Sequence, residues 1–259
     1  MAVSNAYGDI MILNYNNLNE RITTLKRPKQ WCEVMQYSPC GNYLAVGSHD
    51  TCVYIYEITD KQYETWSNPA SRSEYTLFWA INHVHQKPII SIDWSRSSEL
   101  IRTVDSSYRK LFFNVPETFQ VVDGALHLTA LGGWDDKTAQ LGWDKKNLYI
   151  QCGVKLDDIN SMDVVGKEYD SGHLVVGDNF GTMCLFNYPV REFDPADTVA
   201  PGVRMTGHSD EVRRVRTLNT DAGYKIITAG GNDRTLIQWK HNVTVGNEAQ
   251  NNYYEEEEE

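Results

Sequence analysis

The chain has no CxxC pair, no apolar run long enough to cross a bilayer and no basic leader ahead of an apolar stretch. Each absence removes a class of protein. Its five cysteines, at 32, 40, 52, 152 and 184, are an odd number without metal-ligand spacing. That excludes a disulfide framework or zinc finger and reads as reduced, packed thiols in a cytosolic protein. A membrane span would need close to twenty consecutive apolar residues, so no membrane is expected. Positive charge is scarce: 24 Lys and Arg face 35 Asp and Glu, for a net charge of -11. Glu255–Glu259 supply five of those charges and leave about -6 on the body, which argues against nucleic acid as a partner. There is no GxSxG, HExxH or P-loop, so the reading contains no enzyme, no cofactor and no metal. Asp135, Asp136, Asp144, Asp157 and Asp158 lack the spacing of a calcium loop and read as solvated carboxylates. His83 and His85 stand two apart, but no third ligand accompanies them.

What the chain does have is aromatic residues in a repeating frame. Fifteen Tyr and seven Trp favour strands, where flat side chains suit a pleated, half-buried surface. Four segments share one pattern: an apolar pair, a small residue, a polar turn, then alternating apolar residues ending in an aromatic. They run from Leu44 to Tyr56, Leu100 to Phe113, Leu174 to Phe186 and Ile226 to Trp239, and each reads as a β-hairpin. Their spacing is irregular and longer than the usual 40–45 residues of a WD40 repeat, so the excess is assigned to loops. A fifth, partial pattern precedes them at Gly8–Leu13 and Arg21–Leu25.

The last repeat is the most complete. Gly207-His208 precedes a strand from Glu211 to Leu218, and Thr228, Asp233 and Trp239 follow at spacing that resembles a WD40 repeat. The resemblance implies a structural group in which aspartate bonds histidine, histidine bonds hydroxyl, and hydroxyl bonds the indole N–H. His, Asp and a hydroxyl could also suggest a hydrolytic triad, but the spacing is that of a blade and not of a nucleophile elbow. The other repeats keep less of the set. Asp50 has Tyr56 in place of tryptophan, His85 has Ser107 at the aspartate position, and the third repeat has Phe180 there.

Longer stretches resemble one family more specifically. Tyr43–Asp50 with Val53–Tyr56, Ile92–Ser95, Asp158–Asn160, Gly177–Gly181 with Leu185–Pro189, and Thr228–Asp233 with Gln238-Trp239 are similar, in that order, to the C-terminal propeller of the echinoderm microtubule-associated protein-like (EMAP) family. Leu185-Phe186-Asn187-Tyr188-Pro189 is the most specific of these runs. The resemblance covers about residues 26 to 240. It implies tandem propellers that bind tubulin or microtubules in cytoskeletal and ciliary settings. The family's coiled coil, hydrophobic EMAP-like motif and first propeller carry much of that binding and have no counterpart in this sequence.

The expected fold is therefore an all-β, WD40-type β-propeller of about four to five blades: an open arc that another chain completes, one piece of a larger protein, or a compact ring. Residues 1–27 are read as a partial first blade holding the last two strands. Residues 28–241 are the WD40 repeats, divided into three four-stranded blades to about residue 205 and three strands after 211. Residues 242–259 are a disordered acidic tail. Candidate partner contacts are the basic run Arg213, Arg214 and Arg216, with Trp134 and Trp143 in the unusual stretch 114–157. Lys26, Arg27 and Lys29 form a weaker basic cluster. The expected function is a non-catalytic scaffold that binds tubulin, microtubules or their associated proteins, in the cytoplasmic cytoskeleton or a ciliary or flagellar axoneme. The competing reading is a general WD40 adaptor that holds peptides in signalling or ubiquitin-ligase complexes.

Overall fold

The computed structural model of the chain describes residues 1–63, 70–115, 134, 159–165, 172–188, 203–220 and 223–241. Every regular element among them is a β-strand, seventeen in all, and no described helix is long and apolar enough to cross a membrane. Two compact units, Met1–Asp144 and Lys145–Glu259, are each built from antiparallel meanders.

The first unit holds three sheets. They are β1 (Ala2–Ser4), β2 (Ile10–Leu13) and β3 (Arg21–Leu25); then β4 (Cys32–Tyr37), β5 (Tyr43–Ser48), β6 (Val53–Tyr63) and β7 (Ala70–Ile81); then β8 (Ile89–Trp94), β9 (Leu100–Asp105) and β10 (Lys110–Asn114). The second unit holds β11 (Ile159–Val165), β12 (Gly172–Asp178), β13 (Thr182–Tyr188) and β14 (Val203–Thr206), followed by β15 (Val212–Thr220), β16 (Gly223–Gly230) and β17 (Leu236–His241).

Residues 1–27 contain three strands where the sequence pattern suggested two. The added strand, β1, pairs Ala2 with Ile12 and Ser4 with Ile10. Three residues are too few to display a period of two, which is why β1 escaped the pattern. The β1–β2 turn repeats a geometry found further along. Asn5 N–H bonds Asp9 O and Gly8 N–H bonds Asn5 O, as Ser48 N–H bonds Cys52 O and Thr51 N–H bonds Ser48 O. Gly8 is left-handed (φ 88°), and a Cβ there would come within 2.4 Å of Gln30 O. Gly181 (φ 74°) approaches His208 O to the same 2.4 Å, so the two glycines hold equivalent places in the first and fourth sheets of the chain. The fourth strand expected in the third sheet falls in residues 116–158, outside the described residues apart from Trp134.

Register ties the repeats together. Each of the four later sheets begins with a strand carrying a β-bulge at the same place: between Cys32 and Val34, Ile89 and Ser91, Ile159 and Ser161, and Val212 and Arg214. The four closing aromatics occupy one register position, with Tyr56 opposite Leu44, Phe113 opposite Ile101, Phe186 opposite Leu174 and Trp239 opposite Ile226. Val46, Thr103, Val176 and Thr228 likewise share a position, opposite Met35, Ile92, Met162 and Val215.

Within each unit the apolar face of one sheet packs on the next. In the first unit Ile55, Ile89, Ile92, Trp94, Ile101 and Phe113 are buried together. The Trp94 ring is fully enclosed, and its indole N–H crosses between sheets to donate to Gln36 O at 3.1 Å. In the second unit Val165, Val175, Met183, Val212, Val215 and Ile226 form the core. There the inter-sheet bonds run from Val215 N–H to Ser161 Oγ (3.0 Å) and from Thr217 N–H to Asp163 Oδ2 (2.8 Å). Burial holds the Asp163 carboxyl above its ordinary range, against the pull of bonds from Thr217 and Val164 and of the Arg216 charge.

Candidate functional site

In the last sheet, the loop into β15 carries His208 beneath the β16–β17 turn. His208 Nδ1 lies 2.8 Å from Asp233 Oδ2, and Nε2 lies 2.7 Å from Thr228 Oγ1. The Trp239 indole N–H donates to the same hydroxyl at 2.9 Å. The carboxylate accepts only, so Nδ1 carries the imidazole proton and Nε2 accepts from the threonine hydroxyl. One chain of bonds thus fastens the turn, the entry loop and two strands.

A second set stands in the sheet β8–β10. His85 Nδ1 lies 2.8 Å from Asp105 Oδ2, and Nε2 lies 2.7 Å from Thr103 Oγ1. The aspartate whose expected repeat position Ser107 takes is therefore restored from elsewhere. Asp105, at the end of β9, reaches the histidine, while Ser107 donates its N–H and hydroxyl to Asp105 Oδ1. The readable signal was the short spacing of Thr103 and Asp105, which an ordinary WD40 template does not seek. Burial lowers the pKa of His85 despite the nearby Asp105 carboxylate, which leaves the imidazole neutral at pH 7. Burial would raise Asp105, but bonds from Ser107, His85 and the Arg109 N–H outweigh it and hold the carboxyl below its usual range.

Both sets have the carboxylate–imidazole–hydroxyl order of a hydrolase. Their surroundings differ from one. Thr103 and Thr228 are completely buried, and Thr228 is also engaged by the Trp239 indole, so no substrate carbonyl can reach either oxygen. With both His85 nitrogens occupied, the His83/His85 pair cannot hold a metal. Among the described residues no cluster of His, Cys, Asp or Glu has the makings of one.

The candidate contact residues separate. At the bulge, Arg213 is exposed, with Nε 3.5 Å from Glu211 Oε1. Arg214 and Arg216 follow on the sheet face opposite Val212 and Val215, because the bulge shifts the alternation by one residue. Trp134 is buried, not a surface contact: it bridges to Ser95, lies 5.9 Å from Phe112, and sits beneath the Arg102 guanidinium at 4.3 Å. That removes it from the partner-contact set. Arg102 itself is paired inside the sheet with Asp93, its direct cross-strand neighbour, through Nε at 2.8 Å. Trp143 lies outside the described residues. Sequence reasoning missed Trp31, which is about half exposed and stacks on His49 with ring centroids 3.7 Å apart.

Comparison with known proteins accords with this architecture. Residues 1–241 match the family model described as the echinoderm microtubule-associated protein second β-propeller. The chain is 32% identical over 242 residues to a ciliary WD repeat-containing protein, ctxp80, of Euplotoides octocarinatus, covering 93% of this chain and 30% of that protein. It is 32% identical over 207 residues to echinoderm microtubule-associated protein-like 1 of Mus musculus (80% and 22% covered). It is 30% identical over 220 residues to the 77 kDa echinoderm microtubule-associated protein of Strongylocentrotus purpuratus (84% and 28% covered). The chain thus spans less than a third of these relatives. Among solved structures, U3-55K superposes with a TM-score of 0.50 at 13% identity, covering 92% of this chain and 56% of that one, a likeness of fold alone.

Proposed function

The chain belongs to the echinoderm microtubule-associated protein family through its second, WD40-type β-propeller, and from that premise we propose that it is a non-catalytic scaffold of the microtubule cytoskeleton. It binds microtubules or tubulin directly or through a partner chain, with a ciliary or flagellar axoneme as its setting. The observation that carries this reading is the family match over nearly the whole described chain, joined by relatives named as microtubule-associated and ciliary. The buried hydrogen-bonded sets support the non-catalytic part, since groups that resemble catalytic ones are spent on holding turns to strands.

We also infer that another chain completes the propeller. In every other sheet the first strand carries the bulge, whereas β1 sits at the corresponding edge of its sheet and, among the described residues, pairs only with β2. A strand added on that edge, from another chain or from another segment, would extend the sheet in the position the bulged strand holds elsewhere. Co-sedimentation with assembled microtubules, at low salt and after a salt wash, tests the proposal. Pelleting with the filaments is the expected result. Absence from the pellet, with and without a cytoskeletal extract to supply the partner, overturns it.

A further inference from the structure

Residues 26–31 join the first sheet to the second and read Lys-Arg-Pro-Lys-Gln-Trp. Leu25 and Pro28 are buried, whereas Lys26, Arg27, Lys29, Gln30 and Trp31 are exposed. Pro28 stands four residues before the first strand of its sheet, where His85 and His208 stand before theirs. A proline cannot make the imidazole bonds that fasten those two entry loops, and the β5–β6 turn holds this one by other means. Lys29 N–H donates to Asp50 Oδ2 at 2.7 Å, the Ser48 hydroxyl to Gln30 O at 3.2 Å, and His49 N–H to Trp31 O at 3.0 Å. With the Trp31 ring stacked on His49, the strip is fixed in place while its polar side chains face solvent.

The β1–β2 turn abuts the same strip. A Cβ on Gly8 would come within 2.4 Å of Gln30 O and 2.8 Å of Pro28 O, and Tyr7 beside it is 83% exposed. Exposed aromatic rings, Tyr7 and Trp31, thus accompany the exposed cations Lys26, Arg27 and Lys29. Among the described residues none of these cations enters an ion pair. Carboxylates on the adjoining turns are engaged already: Asp9 accepts from Asn5, and Asp50 from Lys29 N–H and the Tyr54 hydroxyl. Glu33, at the β4 bulge, lies 3.4 Å from His49. Folding does not call for the indole, because the entry loops of β8 and β15 carry Pro88 and Glu211 at the position of Trp31.

Charge selects the occupant. We infer that the strip 26–31 docks an extended, carboxylate-rich peptide of another protein, with a bulky apolar residue among its acids. The carboxylates meet Lys26, Arg27 and Lys29, and the apolar side chain covers the open part of the Trp31 indole. An extended strip of this length spans about 20 Å, which matches roughly six residues of the partner. Because the strip is held before anything binds, little ordering opposes the contact. Aromatic rings beside cations also suit a single-stranded nucleic acid. A small group of cations on a chain of net charge -11 favours the short acidic peptide, since a phosphate backbone would meet repulsion beyond it. This inference goes beyond the scaffold reading and stands whether or not the chain associates with filaments.

The test is fluorescence anisotropy of a fluorescein-labelled Glu-Glu-Leu-Glu-Glu-Glu peptide with the full chain at low salt. Binding is expected to fall at least about tenfold in Lys26→Glu/Lys29→Glu and to weaken steeply with added salt. A second probe with glycine in place of leucine should bind about threefold more weakly, and Trp31→Ala should abolish that difference. A measurement that needs no substitution accompanies these: the peptide should protect Lys26 and Lys29 of the unsubstituted chain from acetic anhydride and leave Lys225 and Lys240 reactive. No binding by the unsubstituted chain overturns the inference, and so does undiminished binding by Lys26→Glu/Lys29→Glu. Protection of Lys225 and Lys240 instead overturns it too, as does tighter binding of a labelled hexauridylate than of the peptide. Equal affinity for the leucine and glycine probes overturns the part given to the indole. Microtubule co-sedimentation of the unsubstituted chain reports on the scaffold proposal separately.

Discussion

Replacing Thr228 by valine removes one oxygen at the centre of a four-residue bond chain while leaving shape almost unchanged. Val46 and Val176 already occupy the same register position in other sheets, so the site accepts a valine sterically. The cost is then electrostatic. His208 Nε2 loses its donor, and the Trp239 indole N–H loses its acceptor. A buried polar group left unpaired costs about 1–3 kcal/mol. His208 is buried and takes the upper part of that range, whereas Trp239 is half-buried and takes the lower part. Destabilisation of the second unit by about 2–4 kcal/mol is expected.

A double-mutant cycle isolates the cause. The third sheet already combines Val176 with Phe186, so Thr228→Val with Trp239→Phe imitates an arrangement this chain uses elsewhere. Once the indole N–H is gone, no donor is orphaned by the valine. The double variant should therefore be more stable than additivity predicts, by about 1 kcal/mol. Urea unfolding followed by hydrogen exchange at the Ile226–Ala229 amides reads the second unit. A single variant within about 0.5 kcal/mol of the unsubstituted chain, or a strictly additive cycle, would refute the reasoning.

Three further outcomes follow from groups elsewhere. His85 has a folded pKa below its unfolded value, so the unfolded chain takes up the proton first and stability is lost as pH falls below about 6.5; Asp105 adds a second loss below about 3.9. Thermal melts of the first unit should fall from pH 8 to pH 5, and His85→Gln should flatten that slope; an unchanged slope refutes the assignment. Asp93→Leu should strand the Arg102 charge at a cost of about 3–5 kcal/mol, while Asp93→Leu with Arg102→Leu recovers most of it in urea titrations; failure of the double variant to recover would count against the pair. Burial drives the Cys32 thiol up to about 12, whereas bonds from Ser38 and Ser98 offset burial and lower the exposed Cys40. Iodoacetamide at neutral pH should label Cys40 first and spare Cys32 in the native chain, as peptide mapping would show.

How much of this was legible beforehand depends on whether a feature leaves a period. The hairpins did, because Leu44–Tyr56 and Ile226–Trp239 share an apolar pair, a small residue, polar turn residues and a closing aromatic. Their aromatics proved to share one register position. β1 did not, being three residues long. The β15 bulge left only an irregularity, with Val212 and Val215 three apart in a strand of period two, and it explains why the arginines between and beyond them fail to line up. Trp134, in a long, unpatterned stretch, could read either as a surface anchor or as packed on the blade below; here it is buried and lies against the Arg102 guanidinium.

The polar sets show a subtler limit. Read by template, the second repeat has a histidine without its aspartate; read by demand, a buried imidazole must bond at both nitrogens, so some carboxylate or carbonyl has to reach it. Asp105 meets that demand from the strand and Asp233 from the turn, and both bring an oxygen to 2.8 Å from Nδ1. The hydroxyl then follows the histidine: Thr103 and Thr228 occur where His85 and His208 do, while Val46 and Val176 stand in the repeats that lack a corresponding histidine four residues before the first strand. An isolated hydroxyl at those valine positions would be orphaned, and an isolated valine at the threonine positions would orphan the imidazole. Polar satisfaction selects these residues as a unit, so a repeat can exchange the whole set for an apolar one or relocate its carboxylate without losing the blade.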